Sequence, residues 1–363
     1  MNPSSLPVSD SRTPVSLLTG FLGSGKTTLL NAWLRDPAMA DAAVIVNEFG
    51  EIGIDHSLIV SSNDNTIVLS TGCLCCTVRG DLVETLRDLR ARRSAGEVPN
   101  FSRVLIETTG LADPVPVIQA LITFPVARAY RLGRVITVVD AVNGLDTLEA
   151  HPEAIRQVVV ADELIVSKTD LPDAPLDAVT ERLGTLNPGA GISRSTGSAP
   201  PLAKLLEGVD IYDSDTRPDA VREWLKAERY EGGEHGSVGH GHGDRAHPHD
   251  VNRHSDKIGS FYLVFDEPLH WEHVSAWLDA LVMAHANDLL RVKGILNIAG
   301  QPQPIVVQAV QRLFHPPARL AAWPDGDRRS RIVFITRGLS RAFVTEVFET
   351  LRSRIPVTEA TVS

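Results

Sequence analysis

Gly20-Phe21-Leu22-Gly23-Ser24-Gly25-Lys26-Thr27 sets glycines, a lysine and a hydroxyl at the spacing G-x-x-x-x-G-K-[ST], the pattern of a phosphate-binding loop. Glycines let a backbone curl its N–H groups around phosphate oxygens, and a helix that starts there adds its positive dipole end. In such a loop Lys26 reaches the β and γ phosphates and the Thr27 hydroxyl ligates Mg²⁺. Gly23, Ser24, Gly25 and Thr28 complete the expected nucleotide contacts. Downstream, Val104-Leu105-Ile106-Glu107-Thr108-Thr109-Gly110 ends an apolar run on an acid, where a carboxylate orients Mg²⁺ or its waters. Gly110 lets a backbone N–H approach a γ-phosphate. Ser167-Lys168-Thr169-Asp170 follows a further apolar run, and a carboxylate there accepts both N1–H and the 2-amino group of guanine. Adenine offers no such pair, so GTP is the expected nucleotide, although Ser167 stands where the N-K-x-D pattern has Asn.

A second set of residues points to metal. The chain's three cysteines, Cys73, Cys75 and Cys76, fall within four residues, too close to make a disulfide framework. As thiolates on a short loop they suit Zn²⁺, Cu⁺ or Co²⁺. A closed structural zinc site takes four protein ligands, and no second C-x₂-C pair exists, so this set stays open, as a metal to be handed on requires. Asn47-Glu48-Phe49-Gly50-Glu51 follows the next apolar run after the phosphate loop. Glu48 is placed to act on a bound or attacking water and Glu51 to give the thiolate-bound metal an oxygen; either reads equally well as a solvated loop carboxylate. His235, His240, His242, His247, His249 and His254 hold half of the twelve histidines in one Gly-rich stretch. Such a stretch binds metal weakly and exchangeably, or is simply a solvated linker. His270, His273 and His285 read as histidines on the surface of one helix.

These residues need a frame. Continuous apolar runs at 15–19, 43–46, 67–70, 104–106, 135–139 and 164–166 predict strands covered on both faces. Helical patterns lie between them, including 27–34 and 81–93. Alternation of this kind predicts an α/β fold, a doubly wound, mostly parallel sheet. Residues 231–256 carry almost no apolar side chains and predict a linker. Beyond it, strands at 258–265, 290–298, 305–310 and 331–336 and helices at 271–284 and 341–352 predict a smaller α+β domain. Val274, Trp277, Leu278 and Leu281 mark the buried face of the first of these helices. The expected organisation is an unstructured 1–13, a nucleotide domain over 14–215, a linker over 216–256 and a C-terminal domain over 257–357.

A length of 363 residues with 43% hydrophobic content supports two such domains and their cores. The formal net charge of -10 argues against a nucleic-acid partner. No apolar run is long enough to cross a bilayer, and residues 1–12 lack the layout of a signal peptide, which leads us to expect a cytoplasmic protein.

The assembled motifs resemble the CobW-type metal-binding GTPases, relatives of the nickel GTPases of hydrogenase and urease maturation. The resemblance rests on residues 20–28, 47–51, 72–76, 107–114 (ETTGLADP) and 167–170, and continues through Arg291-Val292-Lys293-Gly294 and 314–336. It implies slow, metal-responsive GTP hydrolysis and allocation of zinc or cobalt to a client metalloenzyme. Carried over, Cys73, Cys75 and Cys76 form the metal site with Glu51 in support, and Lys26, Glu48 and Glu107 serve the nucleotide chemistry. Val46 stands where some members carry a further Glu, so no ligand comes from that position. No arginine finger or positioning glutamine is evident, which also predicts slow hydrolysis. A monomer or homodimer is expected. Two other readings remain at this stage: a P-loop kinase or ATPase with structural or redox cysteines, and a passive His-rich metal store. Within the family, a dedicated activator of one enzyme is a further possibility.

Overall fold

The structure is a computed structural model that describes residues 12–47, 67–71, 78–172, 174–195, 199–202, 205, 258–324 and 326–356. Its first sheet is built from β1 (Thr13–Gly20), β2 (Ala42–Asn47), β3 (Ile67–Thr71), β4 (Arg103–Glu107), β5 (Tyr130–Asp140), β6 (Glu163–Ser167) and β7 (Gly191–Arg194), in the order β3-β2-β4-β1-β5-β6-β7. Every neighbouring pair is parallel. All carboxyl ends therefore lie along one edge, with β1 at the place where the strand order reverses.

Helices cover both faces. They are α1 (Lys26–Trp33), α2 (Val78–Ala95), α3 (Val115–Ile122), α4 (Gly144–Ala150), α5 (Pro152–Val159) and α6 (Leu176–Leu186). Alternate strand residues serve opposite covers. On β4, Val104 and Ile106 pack with Leu82 and Leu86 of α2 and Ile118 of α3, whereas Leu105 packs with Leu30 and Trp33 of α1. Burial on both faces is why these strands read as unbroken apolar runs.

The second sheet consists of β8 (Ile258–Phe265), β9 (Leu289–Leu296), β10 (Ile305–Val310), β11 (Leu313–Phe314), β12 (Ala318–Arg319) and β13 (Ser330–Arg337). It is antiparallel, in the order β11-β10-β9-β13-β8, with β12 paired to β10. Helices α7 (Trp271–His285) and α8 (Arg341–Arg354) close one face around Trp277, Phe334 and Phe348. The expected stripe of Val274, Trp277, Leu278 and Leu281 is buried there. The opposite face, with Ile295, Val306, Val333 and Ile335, packs on Val159 at the end of α5. Among the described residues, no helix is long and apolar enough to cross a membrane.

Three differences from the sequence reading have physical causes. β5 begins at Tyr130, five residues before the expected run, because Arg131, Gly133 and Arg134 interrupt the apolar pattern while the pairing with β1 continues through a register shift. β7 carries only Ile192 as a large apolar residue and sits at the sheet edge. His273 is a buried residue, with Nε2 2.9 Å from the Ile355 carbonyl oxygen, rather than a surface histidine.

Candidate functional site

The loop after β1 runs straight into α1. Gly23 and Gly25 have φ of 70° and 94°, left-handed values that let consecutive N–H groups turn inward. At Gly110 a Cβ would stand 2.6 Å from the backbone nitrogen of Leu22, so only glycine lets the loop after β4 close against the phosphate loop. Gln157 of α5 fixes that segment by donating from Nε2 to the carbonyls of Gly110 at 3.1 Å and Ala112 at 3.0 Å.

Thr27 and Glu107 meet. The threonine hydroxyl donates to Glu107 Oε1 at 2.7 Å, joining the first turn of α1 to the end of β4. Lys26 lies buried with Nζ donating to the carbonyls of Gly20 at 2.9 Å and Phe21 at 3.1 Å. Burial lowers its pKa, while the charge of Glu107 opposes that shift. A nest of glycine N–H groups, a buried ammonium and a hydroxyl–carboxylate pair of hard oxygen donors fit a nucleotide phosphate chain and Mg²⁺.

The edge of β6 supplies the other end of the site. Ser167 Oγ donates to the Ser24 carbonyl at 2.6 Å and so ties β6 to the phosphate loop. Thr169 Oγ1 donates to the Ser195 carbonyl at 2.7 Å. Gly25, Thr28, Ser167, Lys168, Asp170, Ser195 and Ala199 are among the residues around a cavity of about 240 Å³. Its size, and its position between the phosphate loop and Asp170, suit a purine base. Sequence reading missed Ser195, whose place follows from the short strand β7. It also missed Asp140, which ends β5 as Glu107 ends β4.

Glu48, Glu51, Cys73, Cys75, Cys76 and the histidines from His235 to His254 lie outside the described residues. The strand ends that lead to them are described. Asn47, the last residue of β2, is in register with Thr71, the last of β3, and Val46 is in register with Glu107. The segment with Glu48 and Glu51 and the segment with the cysteines thus leave adjacent strand ends beside the Thr27–Glu107 pair. Among the described residues, no group of three or more His, Cys, Asp or Glu is gathered for a metal.

Comparison with known proteins identifies relatives of both parts of the chain. A family model described as the CobW/HypB/UreG nucleotide-binding domain matches residues 14–194, and one for the cobalamin synthesis protein cobW C-terminal domain matches residues 258–352. The chain is 33% identical to the zinc chaperone YjiA of Escherichia coli, over 93% of this chain and 98% of that one. It is 31% identical to the zinc chaperone CobW of Pseudomonas aeruginosa, over 93% and 91% of the two chains. The crystal structure of Zn(II)-bound YjiA GTPase from E. coli aligns at a TM-score of 0.67, with 28% identity, covering 94% of this chain and all of that one (100%).

Proposed function

The chain belongs to the CobW family of P-loop GTPases, and from that premise we propose that it is a metallochaperone. It holds Zn²⁺ on Cys73, Cys75 and Cys76 with Glu51 in support, and passes the ion to a client metalloenzyme under the control of GTP. Co²⁺ is the alternative cargo on the same donors. One observation carries this reading. The chain's entire cysteine supply sits in one C-x-C-C segment between β3 and α2, and that segment leaves the sheet next to the strand end that leads to Glu48 and Glu51.

The described residues support the nucleotide half of this reading. Lys26 gives up two neutral carbonyls for phosphate oxygens, a trade favoured by charge in a site shielded from water. Mg²⁺ held near Thr27 and Glu107 would neutralise charge on the phosphates. Asp170 reads guanine, and Ser167 keeps its motif in place against Ser24. Glu48 orients the attacking water. Ordering of the segments after β2 and β3 by the γ-phosphate would assemble the metal donors, and hydrolysis would release them. The reading places the GTPase domain at 14–215 and the C-terminal domain at 257–357. It sets the protein to work in a reducing cytoplasm, as a monomer or homodimer, with the histidines of the linker as an auxiliary metal buffer.

Metal stoichiometry tests the assignment. The full chain should take one tight Zn²⁺ or Co²⁺, with a Co²⁺ spectrum showing thiolate charge transfer. Cys73→Ser/Cys75→Ser/Cys76→Ser should lose that ion, whereas a chain lacking 235–254 should keep it. Equal tight binding by the triple-serine chain would refute the site.

A further inference from the structure

Lys168 stands between two cavities. One is the base cavity of about 240 Å³; the other, of about 200 Å³, lies across the phosphate loop and is bordered by Phe21, Ser24, Asp140 and Asn143. The Lys168 backbone has φ of 57°, a left-handed conformation that a side-chain-bearing residue keeps only where its surroundings over-determine it. Its ammonium bonds Asp140 Oδ2 at 2.6 Å.

Asp140 is itself fixed. Oδ1 accepts from the backbone N–H of Val142 at 2.8 Å and of Asn143 at 3.3 Å, and Oδ2 also accepts from Asn143 Nδ2 at 2.9 Å. Its side chain is 10% exposed and that of Lys168 36%, so the carboxylate is the anchored partner and the lysine the adjustable one. Burial pushes the Asp140 pKa up, but the bonds from Lys168, Asn143 and the turn outweigh it and hold the carboxyl below its usual value.

We infer that Asp140 is a positioning residue for the nucleotide: by pinning the Lys168 ammonium, it keeps the lysine stem in place as a wall of the base cavity. This rests on the reading that residues 167–170 face guanine. Asp140 needs no contact with the nucleotide. It sets the shape of the cavity before ligand arrives, so its loss is felt as weaker binding of GDP and GTP alike.

A double-mutant cycle on the full chain separates this role from a merely structural one. Asp140→Asn keeps an acceptor oxygen for the turn and removes the charge that holds Lys168. With a fluorescent GDP analogue as probe, Asp140→Asn and Lys168→Met should each weaken binding about tenfold, as loss of a charge-assisted contact implies. The double variant should bind no more weakly than Lys168→Met alone. KM for GTP should rise in parallel with kcat held within about twofold. If the two effects multiply in the double variant, Asp140 acts independently of Lys168 and the inference falls. It falls too if Asp140→Asn binds like the wild type while Lys168→Met is weakened. No effect of Lys168→Met would overturn the base-site reading itself. Should Asp140→Asn fail to fold, Asp140→Glu, which keeps the charge but displaces it by a methylene, closes the same cycle.

Discussion

Lys26 illustrates how a single side chain can be prepared for a ligand. Its ammonium already lies out of water, held by two carbonyls of its own loop. Lys26→Ala should lower GTP turnover by about 10²–10³-fold, the usual cost of removing one preorganised charge-stabilising donor. The nucleotide-free melting temperature should hardly move. Ser167→Ala is subtler. It deletes the donor to the Ser24 carbonyl at 2.6 Å and should cost about 1 kcal/mol of nucleotide binding, near fivefold, readable by calorimetry with GDP. That bond also explains why serine serves where the N-K-x-D pattern has Asn, since the phosphate loop lies within reach of a short hydroxyl. At this scale the sequence was legible wherever one residue type had one physical reason. Gly23, Gly25, Lys26, Thr27 and Glu107 fall in this class, each marked by its spacing or by its place at the end of a run. Asp140 was not legible, because its meaning depends on Lys168, 28 residues further on, and an acid closing an apolar strand is otherwise an ordinary polar cap.

The elements are held together at the other edge of the sheet from the nucleotide. There Asp162, next to the start of β6, accepts the Val135 N–H at 3.0 Å on Oδ2, while Oδ1 takes Arg291 and, at 3.2 Å, Lys293, both from β9. Arg291 also donates to the Val160 carbonyl. One buried carboxylate thus joins the parallel sheet to the antiparallel one. Asp162→Ala would leave the Arg291 guanidinium buried without its carboxylate and should cost about 3–5 kcal/mol of stability, measured by denaturant unfolding. Lys293 gives the junction a pH dependence. Burial, and then the neighbouring Arg291, push its pKa down from 10.5 to about 7 against the pull of Asp162. Between those values the unfolded chain holds a proton that the folded chain has lost, so this group makes stability rise with pH from about 7 to about 10. Lys293→Met should flatten that rise in a series of melting curves; an unchanged slope would contradict the assignment. Strands β1 to β6 of the first sheet and β8, β9, β10 and β13 of the second were legible as apolar runs, whereas the short β7, β11 and β12 were not. Helix α3 was not, because Pro114 and Pro116 read as breakers although they fall at the helix start, where no N–H is needed. The charged start of β5 was hidden for a similar reason: Arg131 and Arg134 belong to a strand whose pairing the sequence does not display.

For the whole molecule, the parallel topology puts phosphate loop, the cavity beside Asp170 and the strand ends that lead to Glu48, Glu51 and the three cysteines on one edge, and leaves the opposite edge to anchor the C-terminal sheet. On the proposed function, a nucleotide signal and a metal load would have a short physical route between them, while the second domain is fastened away from it. The chain's net charge of -10 suits a cation carrier and disfavours nucleic acid, as the composition indicated. Coupling of this kind is reciprocal: if GTP tightens the metal site, metal must tighten GTP by the same factor. The most direct test titrates Zn²⁺, against a chromophoric competitor, into the full chain without nucleotide, with GDP, and with Mg²⁺ and a non-hydrolysable GTP analogue. The account predicts affinity at least about tenfold higher with the analogue, about 1.4 kcal/mol of coupling, and no such site in Cys73→Ser/Cys75→Ser/Cys76→Ser. Equal Zn²⁺ affinity in all three nucleotide states would contradict it.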